Sequence, residues 1–401
     1  MTPIHTYSDS HNFLKKAMGV ANYYGFSSVS SQKKTRGRRS KKINRIGLET
    51  RKIDALGGEL ALAIQRCTEK AQAPLPEPLL FYHSTADAHM KSSRKTLPKK
   101  LVFSFGIVGA PQSIAEALII RTTLAILEEL GQNDTHVFLN SIGDRDSAIK
   151  FGRELSLYLK KNQDTLPPQI QTALKEDVFI VLEYLRRKQH ELCDDIPRPM
   201  EFLSEGSRRH LREIIEYLDS LDVSYELDDT LVGHKDCYTN TIFEIRKTTS
   251  TENKDGSLEH AVLAKGGRCD EFSRRFLKTD EPSVGVVLVC NPEKVDVQDL
   301  SIQTSTRKPK ACFIQLGFDA KLRGLGVIET LRKARVPLYQ TFVSTTLAGQ
   351  IADVEERGIP YTIIMGQKEA LEGTVIVRNM STRSQDIVPV DLLPQYIKQI
   401  S

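Results

Sequence analysis

No run of about eighteen or more apolar residues occurs in this 401-residue sequence, so the pattern of a membrane-spanning helix is missing. The six cysteines (Cys67, Cys193, Cys237, Cys269, Cys290 and Cys312) are scattered, with no CxxC pair and no histidine at metal-ligand spacing. That excludes a zinc ribbon or a disulfide framework and leaves reduced, mostly buried thiols. The opening MTPIHTYSDSH has no basic stretch followed by an apolar one, so the expectation is a soluble, cytoplasmic chain with no membrane partner and no metal. Internal repeats are absent as well, which removes the solenoid architectures.

What is present is the composition of a globular protein: 40% hydrophobic, 27% charged, and long enough for two or three domains with their own cores. The formal charge of +5 is modest but unevenly placed. Lys33, Lys34, Arg36, Arg38, Arg39, Lys41, Lys42 and Arg45 fall together in a stretch with no acid, a run suited to phosphate contacts or to a solvated loop.

Apolar spacing predicts a first helix over 8–25, ending at Gly25, and a second over 54–72, closed by PLPEP. LLFYHS and LVFSFGIVG read as neighbouring strands joined by the basic connection HMKSSRKTLPKK. Residues 113–130 give the strongest helical pattern, with Ser113 placed to cap it beside Glu116 and Gly131 placed to stop it. THVFLNSIGD is a strand and turn, and 146–222 reads as mainly helical. TNTIFEIRKT, AVLAKGG and SVGVVLV then supply a central antiparallel sheet. Past a polar linker at 297–310, the segment 311–401 alternates strand and helix, which predicts a small parallel or mixed sheet with helices against it.

FLKKAMGVANYYGF, NSIGD at 140–144, KDCYTNTIFEI at 235–245, GGRCD at 266–270, SVGVVL at 283–288 and the run IPYTIIMGQKEALEGTVIVRNMSTRSQDIVPVDLL resemble a class II aminoacyl-tRNA synthetase of the histidyl type. The resemblance covers nearly the whole length, and the last run is its most specific piece. It implies an α+β, class II synthetase-like antiparallel catalytic domain over 1–296, with 146–222 as a helical segment inside it. An α/β anticodon-binding-like domain over 311–401 follows the linker. It also implies a homodimer formed through the first helix and the central sheet, with tRNA as a partner.

Such an enzyme holds the α-phosphate of ATP while a histidine carboxylate attacks it, and cationic donors aimed at the developing charge supply much of the rate. The residues at the matching positions have mostly lost that character. Counting back from Phe105-Gly106 puts Met90 and Ser92 where the family carries arginine and glutamate, with Lys91 and Arg94 the nearest basic substitutes. Ser104 and Val108 stand for the family's Gln and Glu. Ala63-Ile64-Gln65-Arg66-Cys67 replaces Arg-Pro-Glu-Gly-Thr, and Gly233-His234-Lys235-Asp236-Cys237-Tyr238 replaces Arg-Gly-Leu-Asp-Tyr-Tyr. Cys269 stands for a tyrosine, and the arginine expected after SVGVVL has no equivalent in LVCNPEKV.

The resemblance leaves Lys91, Arg94 and Arg268 as possible ATP or anion contacts, and Gln65, Tyr238, Thr239, Gly266 and Gly267 as a possible amino-acid pocket. His83, His89 and His234 lie near the same place but read as ordinary half-buried histidines, and Asp236 and Asp270 as orienting groups. In the last domain Lys368, Arg378 and Arg383 sit near strand ends, where binding loops concentrate, and join the basic run as candidate RNA contacts. Three functions fit. The first is a catalytically degenerate synthetase-like protein that binds tRNA, another RNA or a protein. The second is a divergent active histidine–tRNA ligase using ATP and Mg2+. The third is a regulatory subunit of the ATP phosphoribosyltransferase type, disfavoured because such relatives lack an anticodon-binding domain. No catalytic residue is assignable from the sequence.

Overall fold

A computed structural model describes residues 10–29, 63–64, 78–87, 100–175, 177–188, 190–233, 237–252, 258–274, 280–290, 308–340 and 347–400. The basic run at 33–45, most of the helix expected over 54–72, Gln65, the HMKSSRKTLPKK connection with His89, Lys91 and Arg94, residues His234 and Asp236, and the linker up to 307 lie outside the described residues.

The larger body is built on an eight-stranded sheet in the order β1-β2-β3-β8-β7-β6-β4-β5. Its strands are β1 (Ser27–Ser28), β2 (Leu79–Asp87), β3 (Lys100–Val108), β4 (Thr135–Gly143), β5 (Tyr225–Leu227), β6 (Thr239–Glu252), β7 (Leu258–Arg268) and β8 (Ser283–Cys290). The run from β2 to β4 is antiparallel throughout, and the short outermost strands β1 and β5 pair in parallel. β8 is buried along its whole length, which is why it reads as an uninterrupted apolar run rather than an alternating one.

One face of the sheet carries α1 (Ser10–Tyr23) and α2 (Ile114–Glu129), with Phe103, Phe105, Phe243 and Val286 in the layer beneath them. Gly131 ends α2 as expected, with φ +77°, a conformation glycine adopts without a steric penalty. Ser113 does not cap it. Its backbone is already helical, and its hydroxyl donates to Glu213 Oε2 at 2.6 Å. Glu213 belongs to α6 (Glu205–Ser220), so the side chain serves a tertiary contact rather than its own helix.

The other face is covered by the expected helical segment. The helices there are α3 (Arg145–Lys161), α4 (Pro168–Leu174) and α5 (Val178–Arg187); α6 follows them but packs on the α1/α2 face, where Leu211, Ile214 and Tyr217 join that cluster. Asp144 and Asp177 cap α3 and α5 through their carboxylates. Phe151, Leu155, Phe179, Leu182 and Leu185 from these helices share one buried cluster with Phe81, Tyr238, Ile242, Val287 and Phe272 from the sheet side.

The second sheet runs β10-β9-β11-β12-β13 over β9 (Ala311–Gln315), β10 (Leu338–Gln340), β11 (Tyr361–Met365), β12 (Thr374–Asn379) and β13 (Gln385–Pro389). The first three are parallel and the last two antiparallel, so the sheet is mixed. Its helices are α7 (Phe318–Lys333), α8 (Leu347–Glu356), α9 (Gln367–Glu372) and α10 (Leu393–Gln399).

Helix α7 packs directly on the body. Tyr24 Oη donates to Glu329 Oε2 at 2.5 Å, and Arg121 Nη2 donates to Glu329 Oε1 and Glu128 Oε1, both at 2.9 Å. Arg332 reaches back to Glu128 at 3.2 Å and to Glu329 at 2.7 and 2.8 Å. Burial opposes charge on Glu329, but Arg332 and Arg121 overcome it and hold its pKa at about 2. Removing one partner of such a set strands the others in a poorly solvated seam. Arg121→Ala is therefore expected to lower stability by about 3–5 kcal/mol, read from the urea unfolding midpoint.

Candidate functional site

The central strands carry glycines abreast. Gly106 of β3 pairs with Gly285 of β8, and Gly285 pairs with Gly267 of β7, so three adjacent strands have no side chain at one level of the sheet. A stripe without Cβ atoms leaves a furrow where a backbone can approach a ligand closely. Here side chains of the protein occupy it. A Cβ at Gly106 would lie 3.0 Å from Phe81 Cζ, and one at Gly267 would lie 2.9 Å from Tyr238 Cδ1. The other edge of the Tyr238 ring packs against Gly233. Phe81 is 1% exposed and Tyr238 3%, so both rings are buried.

Next to the furrow, Glu244 and Lys265 stand opposite each other on β6 and β7. Arg186 of α5 closes over them, donating from Nη2 to Glu244 Oε1 at 3.1 Å and from Nη1 to Oε2 at 3.2 Å. Arg246 adds a bond to Glu244 at 2.9 Å and one to Asp228 at 2.7 Å, and Glu183 lies 3.8 Å from Lys265 Nζ. Burial would raise the Glu244 pKa, but Arg186 and Lys265 hold it at about 2. The charges on this face are thus satisfied by each other and by the covering helix.

Arg268, expected as an anion contact, turns to the opposite side. It forms a bidentate pair with Glu116 of α2, from Nε to Oε1 at 2.7 Å and from Nη2 to Oε2 at 2.6 Å. Nη1 donates to the Ala110 carbonyl at 3.2 Å and lies 3.6 Å from Asp270. Its side chain is 2% exposed, so no part of the guanidinium is presented to an external anion. Glu116 is fully buried. Burial works against its charge, yet Arg268 and the His210 ring, 2.6 Å away, hold its pKa at about 2.

Among the described residues, the rest of the expected amino-acid pocket takes part in the protein's own packing and hydrogen bonds. Gly267 and Tyr238 touch, but as packing partners. Gly266 faces the helix layer, where a Cβ would press on Phe243 and the Gly285 carbonyl. Thr239 accepts the Glu271 amide at 3.0 Å and so anchors the turn after β7. Asp270 accepts the Ser283 amide at 2.8 Å, and burial raises its pKa despite Arg268. His83 lies on the furrow face of β2, opposite Ser104. A hydrogen bond with Cys237, followed by burial, pushes the Cys269 thiol well up. Burial alone raises Cys290 to about 12.

In the second domain the turn between β12 and β13 is internally braced. Asn379 Oδ1 accepts the Ser381 and Thr382 amides at 2.9 and 3.1 Å and the Ser381 hydroxyl at 2.7 Å. Arg383 sits in this turn at φ +63°, and Arg378 lies at the end of β12 with a buried Nε that has no hydrogen-bond partner among the described residues. Lys368 is exposed on α9, 3.9 Å from Glu372. Among the described residues no group of three or more His, Cys, Asp or Glu side chains is arranged to hold a metal ion, and no helix is long and apolar enough to cross a membrane.

Residues 310–400 match the anticodon binding domain family. The chain is also similar to histidine–tRNA ligases. It is 23% identical to that of Listeria monocytogenes over 282 residues, covering 70% of this chain and 65% of the relative. It is 27% identical to that of Fervidobacterium nodosum over 290 residues, covering 71% and 66%. The match thus spans about two thirds of the length of these curated relatives. Apo histidyl-tRNA synthetase of S. aureus aligns over 85% of this chain and 82% of its own, with TM-score 0.44 and 20% identity. The sequence likenesses and the matched domain support a class II, histidyl-tRNA-synthetase-like protein with a C-terminal anticodon-binding domain.

Glu116, Glu244 and Glu329 each have a folded-state pKa near 2 against an ordinary value of 4.5. A carboxylate held below its unfolded pKa stabilises the fold at higher pH and loses that contribution on protonation. Stability is expected to be fully present above about pH 5 and to fall as pH drops from 4.5 through 2. Urea midpoints measured across that range check this. Glu116→Gln should lower the midpoint at neutral pH and flatten the acid limb; an unchanged limb would contradict the assignment.

Proposed function

We propose that this chain is a catalytically degenerate, histidyl-tRNA-synthetase-like protein that binds RNA, with tRNA as the first candidate, and acts as a homodimer. The observation that carries the reading is the furrow occupied by Phe81 and Tyr238. It supports loss of adenylation because a substrate needs the space the two rings take. Arg268 supports the same conclusion, since its four hydrogen bonds go to Glu116 and to the Ala110 and Gln112 carbonyls rather than to a phosphate.

RNA binding draws its support from the matched anticodon-binding domain and from its basic end. The braced turn carries Arg383, and Arg378 precedes it on β12; this reading assigns both cations to RNA. Lys368, on α9 at the opposite end of the sheet, and the basic run at 33–45 add further cations in the sequence. Exposed phosphate contacts of this kind contribute about 1 kcal/mol or less each, so affinity would come from their number and fall with salt. The homodimer is carried over from the resemblance through α1 and the central sheet.

The test is histidine-dependent ATP–pyrophosphate exchange by the purified protein, with tRNA binding measured in parallel. The expected result is no exchange above background together with saturable tRNA binding, weakened several-fold by Arg378→Glu with Arg383→Glu. Exchange at enzymatic rates would replace the reading with a divergent active ligase. Absence of both exchange and RNA affinity would remove the RNA-binding half.

A further inference from the structure

A shallow depression of about 210 Å3 lies where β9 and β10 begin, next to the end of α10. Lys308, Lys310, Arg335 and Lys398 line it with Val336, Pro337 and Ile397, and no carboxylate among the described residues does. The four cations come from three separate stretches of chain. None of them has an ion pair with a described residue; Lys321, Arg323, Arg378 and Arg383 in the same domain also have none, whereas Arg332, Lys333, Arg357 and Lys368 do. Four like charges around one hollow repel one another unless an anion joins them.

The floor is fixed rather than plastic. Val336 and Ile397 are buried, the Lys310 amide donates to the Pro337 carbonyl at 3.0 Å, and the Val336 carbonyl accepts Tyr23 Oη at 3.0 Å from α1. Arg335 occupies the position after α7 where glycine is usual. Its φ is +57°, with its amide bonded to the Arg332 carbonyl at 2.8 Å and the Val336 amide to the Leu331 carbonyl at 3.0 Å. A side chain in this left-handed conformation is held against a local preference for glycine.

Charge compensation at a helix C-terminus accounts for a cation such as Arg335 or Lys398, each in or just past a last turn. It does not account for Lys308 and Lys310, which precede a strand. We propose that the depression is a phosphate site, taking a mono- or diphosphate group through these four side chains. Its volume is below the ~300 Å3 at which pockets begin to hold whole drug-sized ligands, so the phosphate, not a base or sugar, is what it recognises. The site lies at the starts of β9 and β10, at the same end of the sheet as the Arg378–Arg383 turn, which follows β12 two strands away from β9. It stands independently of the RNA-binding reading, because a phosphate can arrive on an RNA strand or as a free anion.

The test uses the full chain, inorganic pyrophosphate and a single-stranded oligoribonucleotide as probes, and three variants: Arg335→Gly, Lys310→Gln combined with Arg335→Gly, and Arg383→Gln. Arg335→Gly suits the backbone better than the native residue, so its unfolding midpoint should hold or rise while affinity for pyrophosphate falls about three- to fivefold. Lys310→Gln with Arg335→Gly should lose about tenfold and reduce the salt dependence of RNA binding by roughly one unit of slope per lost contact. Arg383→Gln should leave pyrophosphate binding unchanged. RNA affinity following the depression pair identifies a nucleic-acid backbone as the source; pyrophosphate alone following it identifies a free phosphate. No saturable pyrophosphate binding by the unmodified protein, or equal affinity in the double variant, overturns the site, whatever the RNA result.

Discussion

The pair between Glu116 and Arg268 is the constraint on which the body depends. Taking a carboxylate and a guanidinium out of water costs several kcal/mol per ion, and their attraction offsets that only when the geometry is good and the remaining donors are satisfied. Here the contact is bidentate, the His210 ring takes a further position on Glu116, and carbonyls of the turn before α2 accept the rest of Arg268. One carboxylate therefore fixes α2, α6 and the end of β7 together. The same contacts that make the pair stable remove Arg268 from any role toward a ligand.

A second buried carboxylate, Glu329, joins the two domains by the same physics. Tyr24, Arg121 and Arg332 converge on it, and Glu128 balances the second arginine. The surrounding cluster is continuous across the seam, running from Phe13 and Ala17 of α1 to Leu325 and Ile328 of α7. Apolar contact holds the domains together, while the ion set fixes the rotational setting of α7, because a shifted helix would leave one charge unpaired.

Much of this was legible in the sequence. Periodicity located α1, α2 and the central strands, since each buries a face set by its own spacing. The alternation of elements in the C-terminal domain predicted a parallel or mixed sheet, and strand pairing makes it mixed. The furrow was not legible. Its three glycines and two rings come from β2, β3, β7, β8 and the turn before β6, and only strand pairing places Phe81 on Gly106 and Tyr238 on Gly267. GGRCD did signal a glycine-dependent turn, but not that Arg268 would point at a helix rather than a phosphate. Ser113 was misread for a local reason: a capping side chain needs non-helical backbone, and Glu213, a hundred residues on, offered it a partner instead. The cationic depression was hidden likewise, because Lys308, Arg335 and Lys398 are distant in the chain.

What the filled furrow means for catalysis can be put as a population. Exposing a buried aromatic side chain costs about 1.5–3 kcal/mol, so turning both Phe81 and Tyr238 out costs about 3–6 kcal/mol before any ligand is held. A ligand that binds only the open form sees its affinity reduced by the open fraction, about a hundred- to ten-thousandfold on these figures. Ligand contacts elsewhere in the furrow would have to recover that loss, and its strongest cations, Arg186 and Lys265, already face Glu244. Breaking those pairs to bind a phosphate would replace one buried ion contact with another and leave Glu244 unpaired. The glycine stripe thus keeps the shape of a binding groove, while the aromatic rings and the closed set of charges give the same strands a structural occupation.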